Sequence, residues 1–307
     1  MRWANYRGST DGLEHAGLLN DGVLHGIEPS LLTILEGGVP LDEVGQQALR
    51  HPVEVVPLGE AALLAPIPRP PSVRDFMAFE AHVVTALGAV GLTVDPAWYD
   101  LPAFYFSNAA AVLGPVDPVP IAPGSQAFDY ELEVAAVIGT AGADLDPGTA
   151  ERHIAGFTLL CDWSARDLQV VETRIGLGPV KGKDTATTIG PLLVTLDELD
   201  EYRSGNGYDL AMTASVNGRE YSRGTWSEIY WSFGQMLAYA SRGTRLLPGD
   251  VLGSGTVGTG CIIELSGVHG SASYPWLSAG DVVHLEVAEL GSLTCTVVPG
   301  AAPVRLR

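Results

Sequence analysis

Four prolines fall within the six residues PIPRPP, positions 66–71. Such a run excludes a helix, which an interior proline breaks. It also excludes a central strand, where each missing N–H removes a ladder bond. The 307-residue chain is therefore divided early. The expectation is a small N-terminal β-rich domain over 1–68, followed by a larger catalytic domain over 69–307. In the leading part WANYR, HAGLLNDGVLHGI and VEVVPL are short apolar pieces broken by Gly and Asp turns, the pattern of strands.

After the prolines, VRDFMAFEAHVVTALGAVG carries apolar residues at helical spacing and is closed by glycine, which predicts a helix over 76–88. Strand-like segments dominate beyond it. FDYELEVAAVIG, HIAGFTLLCD, PLLVTLDEL, GCIIELSGV and VVHLEVAELGSLTCTVV are among them, and Asn217-Gly218 predicts a type I′ hairpin. TWSEIYWSFGQMLAYASRG reads as a further helix. The fold class is α+β, β-dominated, because helices do not alternate with strands regularly enough for a doubly wound sheet.

Composition narrows the function. A hydrophobic fraction of 46% against 17% charged residues fits a globular core rather than a disordered chain. No apolar run approaches the roughly 18 residues that cross a bilayer, and MRWANYRGSTDG lacks the apolar stretch of a signal peptide. A soluble, cytoplasmic protein is expected. The net charge of −19 argues against nucleic acid and against an anionic membrane as partners. Cys161, Cys261 and Cys295 are odd in number and show neither a disulfide framework nor zinc spacing, which predicts buried, reduced thiols.

Several stretches carry chemistry. On a strand, Glu131 and Glu133 of FDYELEV share one face while Tyr130, Leu132, Val134 and Ala136 turn to a core. Two carboxylates on one face can meet a hard cation or simply line a solvated surface. In FTLLCDWSARDLQ a strand over 157–161 ends at Asp162. Ser164 is a candidate N-cap, and Arg166 and Gln169 then lie on one helix face. Asp162 is either a cap or a third ligand, and Arg166 either a surface charge or an anion binder. LGPVKGKDTATTIGP reads as a loop whose backbone approaches something closely. It holds the chain's only lysines, Lys181 and Lys183, and leads into Thr187. GDVLGSGTVGTGCIIELSG places Thr256 in a Gly-rich loop and Glu264 on the strand expected after it.

In this order DYELE, DWSARDLQ, LGP-x-x-GK-x-x-x-TTI-x-P and GD-x-L-x-SGT resemble the fumarylacetoacetate hydrolase family, over roughly residues 66–290. RDFMAFEAHV resembles that family's D-F-x(5)-H stretch, and LPAFYFSN the segment whose tyrosine faces the substrate, here Tyr105. The resemblance implies a mixed β-roll, generally dimeric, that binds Mg²⁺, Mn²⁺ or Ca²⁺ and cleaves carbon–carbon bonds in 1,3-diketone acids such as acylpyruvates. Some members instead decarboxylate, hydrate or isomerise 2-oxo acids. It implies Glu131, Glu133, Asp162 and Asp75 as metal ligands and His82, oriented by Glu264, as the base for an attacking water. Lys183 would stabilise an oxyanion or protonate the leaving carbanion. Arg166, Gln169, Tyr105, Thr256 and Thr187 would contact the substrate. Lys181 stands where the family has an apolar residue and is expected to face solvent. Gly91, Thr173 and Met77 replace polar or aromatic residues of animal members, which implies a substrate less acidic or more apolar at its distal end.

Overall fold

The computed structural model describes residues 1–89 and 91–307. Its backbone is organised by one large sheet. In spatial order the strands are Val55–Pro57, Val23–Ile27, Glu14–Asn20, Arg2–Arg7, Thr187–Val194, Ile154–Asp162, Leu132–Ile138, Val251–Gly253, Val73–Phe76 and Phe104–Ser107. Ala62–Leu64 adds to Arg2–Arg7, and Val112–Leu113 to Thr187–Val194. Pairing is antiparallel except at Val73–Phe76 with Val251–Gly253, and at Val112–Leu113 with Thr187–Val194. A five-stranded sheet packs on one face, ordered Arg219–Thr225, Ala211–Val216, Val282–Val287, Gly291–Val298, Val119–Pro120. Helices α1 (Leu31–Gly37) and α2 (Leu41–Arg50) cover the other face.

The central strand is therefore buried on both sides. Leu132, Val134, Ala136 and Ile138 enter the core shared with the five-stranded sheet, while Ala135 and Val137 enter the core under α1 and α2. That explains the unbroken apolar run after Glu133. The expected hairpin is present, with Asn217 at φ 52° and Gly218 at φ 78°, both in the left-handed region a type I′ turn needs.

Residues 2–64 contribute their strands to the same large sheet, through Arg2–Arg7 against Thr187–Val194. They also form α1 and α2, which the β-rich reading did not place. Ser30 caps α1 and Gly38 closes it in the left-handed region. The helix expected over 76–88 begins later. Residues 73–76 are a strand, held between Val251–Gly253 and Phe104–Ser107, and α3 runs Glu80–Ala89. Phe76, Ala78 and Phe79 are all buried, and their spacing does not by itself separate a strand entering a helix from a continuous helix. The strand expected to carry Glu264 is instead α6 (Ile262–His269), while α4 (Arg166–Ile175) and α5 (Phe233–Ala240) complete the set. Ser164 does not cap α4. It lies in a two-residue strand against Phe128–Asp129, and its hydroxyl donates to the Asp162 carbonyl at 3.2 Å. Among the described residues no helix is long and apolar enough to cross a membrane.

Candidate active site

Four carboxylates meet where the central strands end. Glu131 precedes Leu132–Ile138 in an isolated bridge to Cys261, Glu133 lies on that strand, Asp162 closes Ile154–Asp162, and Asp75 sits on Val73–Phe76. Oxygen atoms of Asp75, Glu131 and Glu133 lie within 4.8 Å of one another. All four side chains are buried, Glu133 completely. Gly253 pairs with Asp75, and a Cβ there would stand 2.5 Å from Asp75 Oδ1 and 3.0 Å from Glu133 Oε2, so the strand must be bare at that point.

Two cations face this cluster. Lys183 Nζ donates to Glu131 Oε2 and, at 2.8 Å, to Asp162 Oδ2. Arg166 donates through Nη2 to Glu131 Oε1 and through Nε to Asp129 Oδ2, both at 2.8 Å. With Asp129, five buried carboxylates stand against two cations. Burial pushes the Glu133 carboxyl well up, reinforced by Asp75 and Glu131. Burial also raises Asp75, and lifts Asp162 to about 7 against the pull of Lys183. Burial opposes ionisation of Glu131 as well, yet Lys183 and Arg166 together hold it well below the carboxylate range. Among the described residues Asp75 Oδ1, Glu133 Oε1 and Asp162 Oδ1 have no hydrogen-bond partner. Buried, unpartnered carboxyl oxygens in surplus over cations fit a hard divalent ion, which would replace their protons.

His82 on α3 and Glu264 on α6 meet at 2.7 Å through Nδ1 and Oε1. A carboxylate acceptor places the proton on Nδ1 and leaves the Nε2 lone pair free. Glu264 is fixed by the Thr259 N–H at 3.0 Å. Asp129 fixes the helix that carries it, accepting from Ile262 N–H at 2.7 Å and Ile263 N–H at 3.1 Å. Asp129 is a site residue that the sequence reading does not include. The signal existed, because D-x-E-x-E puts it on the same strand face as Glu131 and Glu133.

The lysine loop is held by its backbone. Glu172 on α4 accepts from the N–H groups of Val180 and Lys181 at 2.8 Å and Gly182 at 3.0 Å. Ser107 Oγ donates to the Lys183 carbonyl at 3.1 Å. A Cβ on Gly182 would lie 2.8 Å from the Gln169 nitrogen, which is the close approach the glycine permits. Lys181 is 61% exposed and pairs with Asp184 at 2.6 Å, on the solvent side as expected. Glu172 gave no signal, since its partners are all main-chain groups.

The residues expected at the substrate fall differently. Tyr105 turns its hydroxyl onto Asp75 Oδ2 at 2.8 Å and onto Asp162 Oδ2. The Arg166 guanidinium is taken up by Asp129, Glu131 and, at 3.2 Å, Gln169. Both therefore organise the carboxylates instead of pointing away from them. Thr187 is buried and registers against Asp162. Thr256 is buried in the loop after Val251–Gly253, and Gln169 is half-buried on α4. Cavities of about 420 and 360 Å³ lie around Tyr239 and Arg242 and are lined by none of these residues. The chemistry, and not the volume, marks the site.

Known proteins resemble this chain in sequence and in fold. A mitochondrial oxaloacetate tautomerase of Homo sapiens is 30% identical over 92% of this chain and 84% of its own length. The fumarylacetoacetate hydrolase of psychrophilic Exiguobacterium antarcticum superposes with a TM-score of 0.72 at 26% identity, over 97% of this chain and 99% of that one. The fold is also shared with a maleylpyruvate hydrolase of Sphingobium sp. SYK-6, solved with manganese(II) and pyruvate, at 20% identity and TM-score 0.73 over 98% of this chain and 100% of that chain. Its relatives thus include both hydrolases and a tautomerase. Residues 72–298 match the family described as Fumarylacetoacetate (FAA) hydrolase C-terminal, and the chain belongs to the fumarylacetoacetate hydrolase family.

Proposed function

We propose that the protein is a divalent-metal-dependent hydrolase that cleaves a carbon–carbon bond in an acylpyruvate or another 1,3-diketone. The observation that carries this reading is the His82–Glu264 pair at 2.7 Å beside the carboxylate cluster. Hydrolysis needs an activated water, whereas decarboxylation breaks its bond without one.

Asp75, Glu131, Glu133 and Asp162 would hold Mg²⁺, Mn²⁺ or Ca²⁺, which when bound supplies Lewis acidity toward the oxygens of a 2-oxo acid. His82 Nε2 takes a proton from water as the water oxygen adds to the distal carbonyl, and Glu264 stabilises the imidazolium. The carbon–carbon bond then breaks, its electron pair passing to the pyruvate enolate. His82 returns the proton to that carbon, giving pyruvate and a carboxylic acid. Lys183 has three N–H groups, of which Glu131 and Asp162 take two, so one remains for an oxyanion. Burial would lower its pKa, but Asp162 and Glu131 outweigh burial and raise it. A lysine that keeps its proton so firmly acts as a fixed cation, which supports oxyanion stabilisation over proton donation.

A second reading, keto–enol tautomerisation of a 2-oxo acid, is favoured by the human relative. It uses His82 as a proton shuttle and needs no water. Incubation with a panel of acylpyruvates and oxaloacetate, in Mg²⁺ or Mn²⁺, separates the readings. Pyruvate and a carboxylic acid in equal amounts support hydrolysis. A changed keto–enol ratio or carbon dioxide with no acid product refutes it.

A further inference from the structure

A second group of donor atoms, chemically unlike the first, adjoins the carboxylates. Cys261 stands at the N-cap of α6. Its Sγ lies 3.3 Å from Glu264 Oε1 and 3.9 Å from His82 Nδ1, which are themselves 2.7 Å apart. All three side chains are buried. Among the described residues the sulfur has no other polar partner. Thiolate, imidazole and carboxylate are the donors zinc takes, whereas Mg²⁺ and Ca²⁺ take oxygen. Donors about 2.0–2.3 Å from a tetrahedral ion stand roughly 3–4 Å from one another. The sulfur already has that spacing to both partners, and only the hydrogen-bonded His–Glu pair is closer.

We propose that Cys261, His82 and Glu264 form a second cation site, selective for zinc or a similarly thiophilic divalent ion, whose occupation switches the enzyme off. The inhibitory half rests on the reading of His82 as the base; the binding half does not. On binding, the thiol proton leaves to solvent and Nδ1 binds the ion through a lone pair. The single imidazole proton then resides on Nε2. Nε2 can no longer accept a proton from water, so inhibition follows from the tautomer and requires no blocked entrance. Burial pushes the Cys261 thiol well up, so the ion must displace a proton, as it does at thiolate sites in general.

The test uses the full chain loaded with Mg²⁺ in excess, titrated with Co²⁺ as a coloured stand-in and separately with Zn²⁺. One Co²⁺ should bind per chain with a thiolate-to-cobalt charge-transfer band in the near ultraviolet. Cys261→Ser should lose the band and bind Zn²⁺ at least tenfold more weakly. Zn²⁺ should stop wild-type turnover, and a hundredfold excess of Mg²⁺ should not restore it. Cys261→Ser, measured against its own zinc-free rate, should resist. A wild type without the band overturns the proposal. So does a band that persists in Cys261→Ser, which would implicate Cys161 or Cys295, and so does inhibition that Mg²⁺ relieves, which would put zinc among the carboxylates. If Cys261→Ser does not fold, X-ray absorption on zinc-loaded wild type decides, and a shell without sulfur is fatal. Failure of every substrate would remove the hydrolase reading while the cobalt spectrum still judged the site.

Discussion

Replacing Lys183 by methionine removes the ammonium and keeps most of the side-chain volume. Lys183 is 4% exposed and bonds two carboxylates that are equally buried. Removing one partner of a buried ion pair costs about 3–5 kcal/mol, because the remaining charges lose their compensation. At a few degrees per kcal/mol, the metal-free variant should melt roughly 10 °C below wild type. The comparison belongs near pH 8, above the wild-type Asp162 carboxyl at about 7; loss of the pull of Lys183 moves that carboxyl up in the variant, so its protonation offsets part of the destabilisation. Mg²⁺ should act the other way. At an effective dielectric of about 20, a unit charge and a divalent ion a few ångströms apart repel by several kcal/mol. If even a quarter of that survives solvent and relaxation, Mg²⁺ binds Lys183→Met at least tenfold more tightly than wild type, although turnover is lost. Melting with EDTA and across a Mg²⁺ titration measures both quantities. Equal metal-free stability, or weaker Mg²⁺ binding in the variant, would refute the assignment of Lys183 as the cation that balances the ligand cluster. Lys181→Ala, at a 61% exposed side chain, should leave stability and turnover nearly unchanged.

Glu172→Ala should lower kcat/KM roughly ten- to a hundredfold. Of the three N–H groups it frees, only that of Gly182 is buried, so the loss is about 1.5–3 kcal/mol for one charge-assisted bond. The metal-induced rise in melting temperature should persist, and Glu172→Gln should recover part of the rate; no recovery together with a lost metal response would contradict its role as loop anchor. Gly253→Ala drives a Cβ to 2.5 Å from Asp75 Oδ1 and should abolish the Mg²⁺-dependent gain in stability, as calorimetry can check. For the metal-free protein, the raised carboxyls of Asp162, Asp75 and Glu133 mean that the folded state holds protons the unfolded chain has released. Stability from these groups is full below about pH 4 and is lost as pH rises, for Asp162 through about 7, by up to about 1.4 kcal/mol per pH unit per proton. Saturating Mg²⁺ should flatten that decline, and a metal-free melting temperature that rises over the window would contradict it.

Much of this is legible in the chain because the clustered carboxylates sit where strand patterns end. Glu131 and Glu133 alternate with apolar residues in DYELE, which fixes their shared face, Asp162 closes an apolar run, and Asn217-Gly218 announces its own turn. The sequence puts Glu264 on a strand because GCIIEL is too short an apolar run to distinguish strand from helix. The decision comes from Asp129, which takes two N–H groups of α6 from far along the chain. Helix α2 could have been found from its amphipathic DEVGQQALR stretch, but the Gly and Asp turns around it favoured a β reading. Glu172 could not be found, because main-chain partners leave no trace in residue type. Tyr105 and Arg166 were recognised as site residues, but the surplus of buried carboxylates that draws both inward emerges only once four strands are assembled.

In the proposed mechanism His82 directs a water at the distal carbonyl. Turnover of an acylpyruvate in oxygen-18-labelled water, with Mg²⁺ and with His82→Ala beside wild type, tests it directly. Wild type should place one labelled oxygen in the carboxylic acid product, and His82→Ala should give no acid product. Release of carbon dioxide or of a tautomer alone, or label entering the acid equally well without His82, would contradict it.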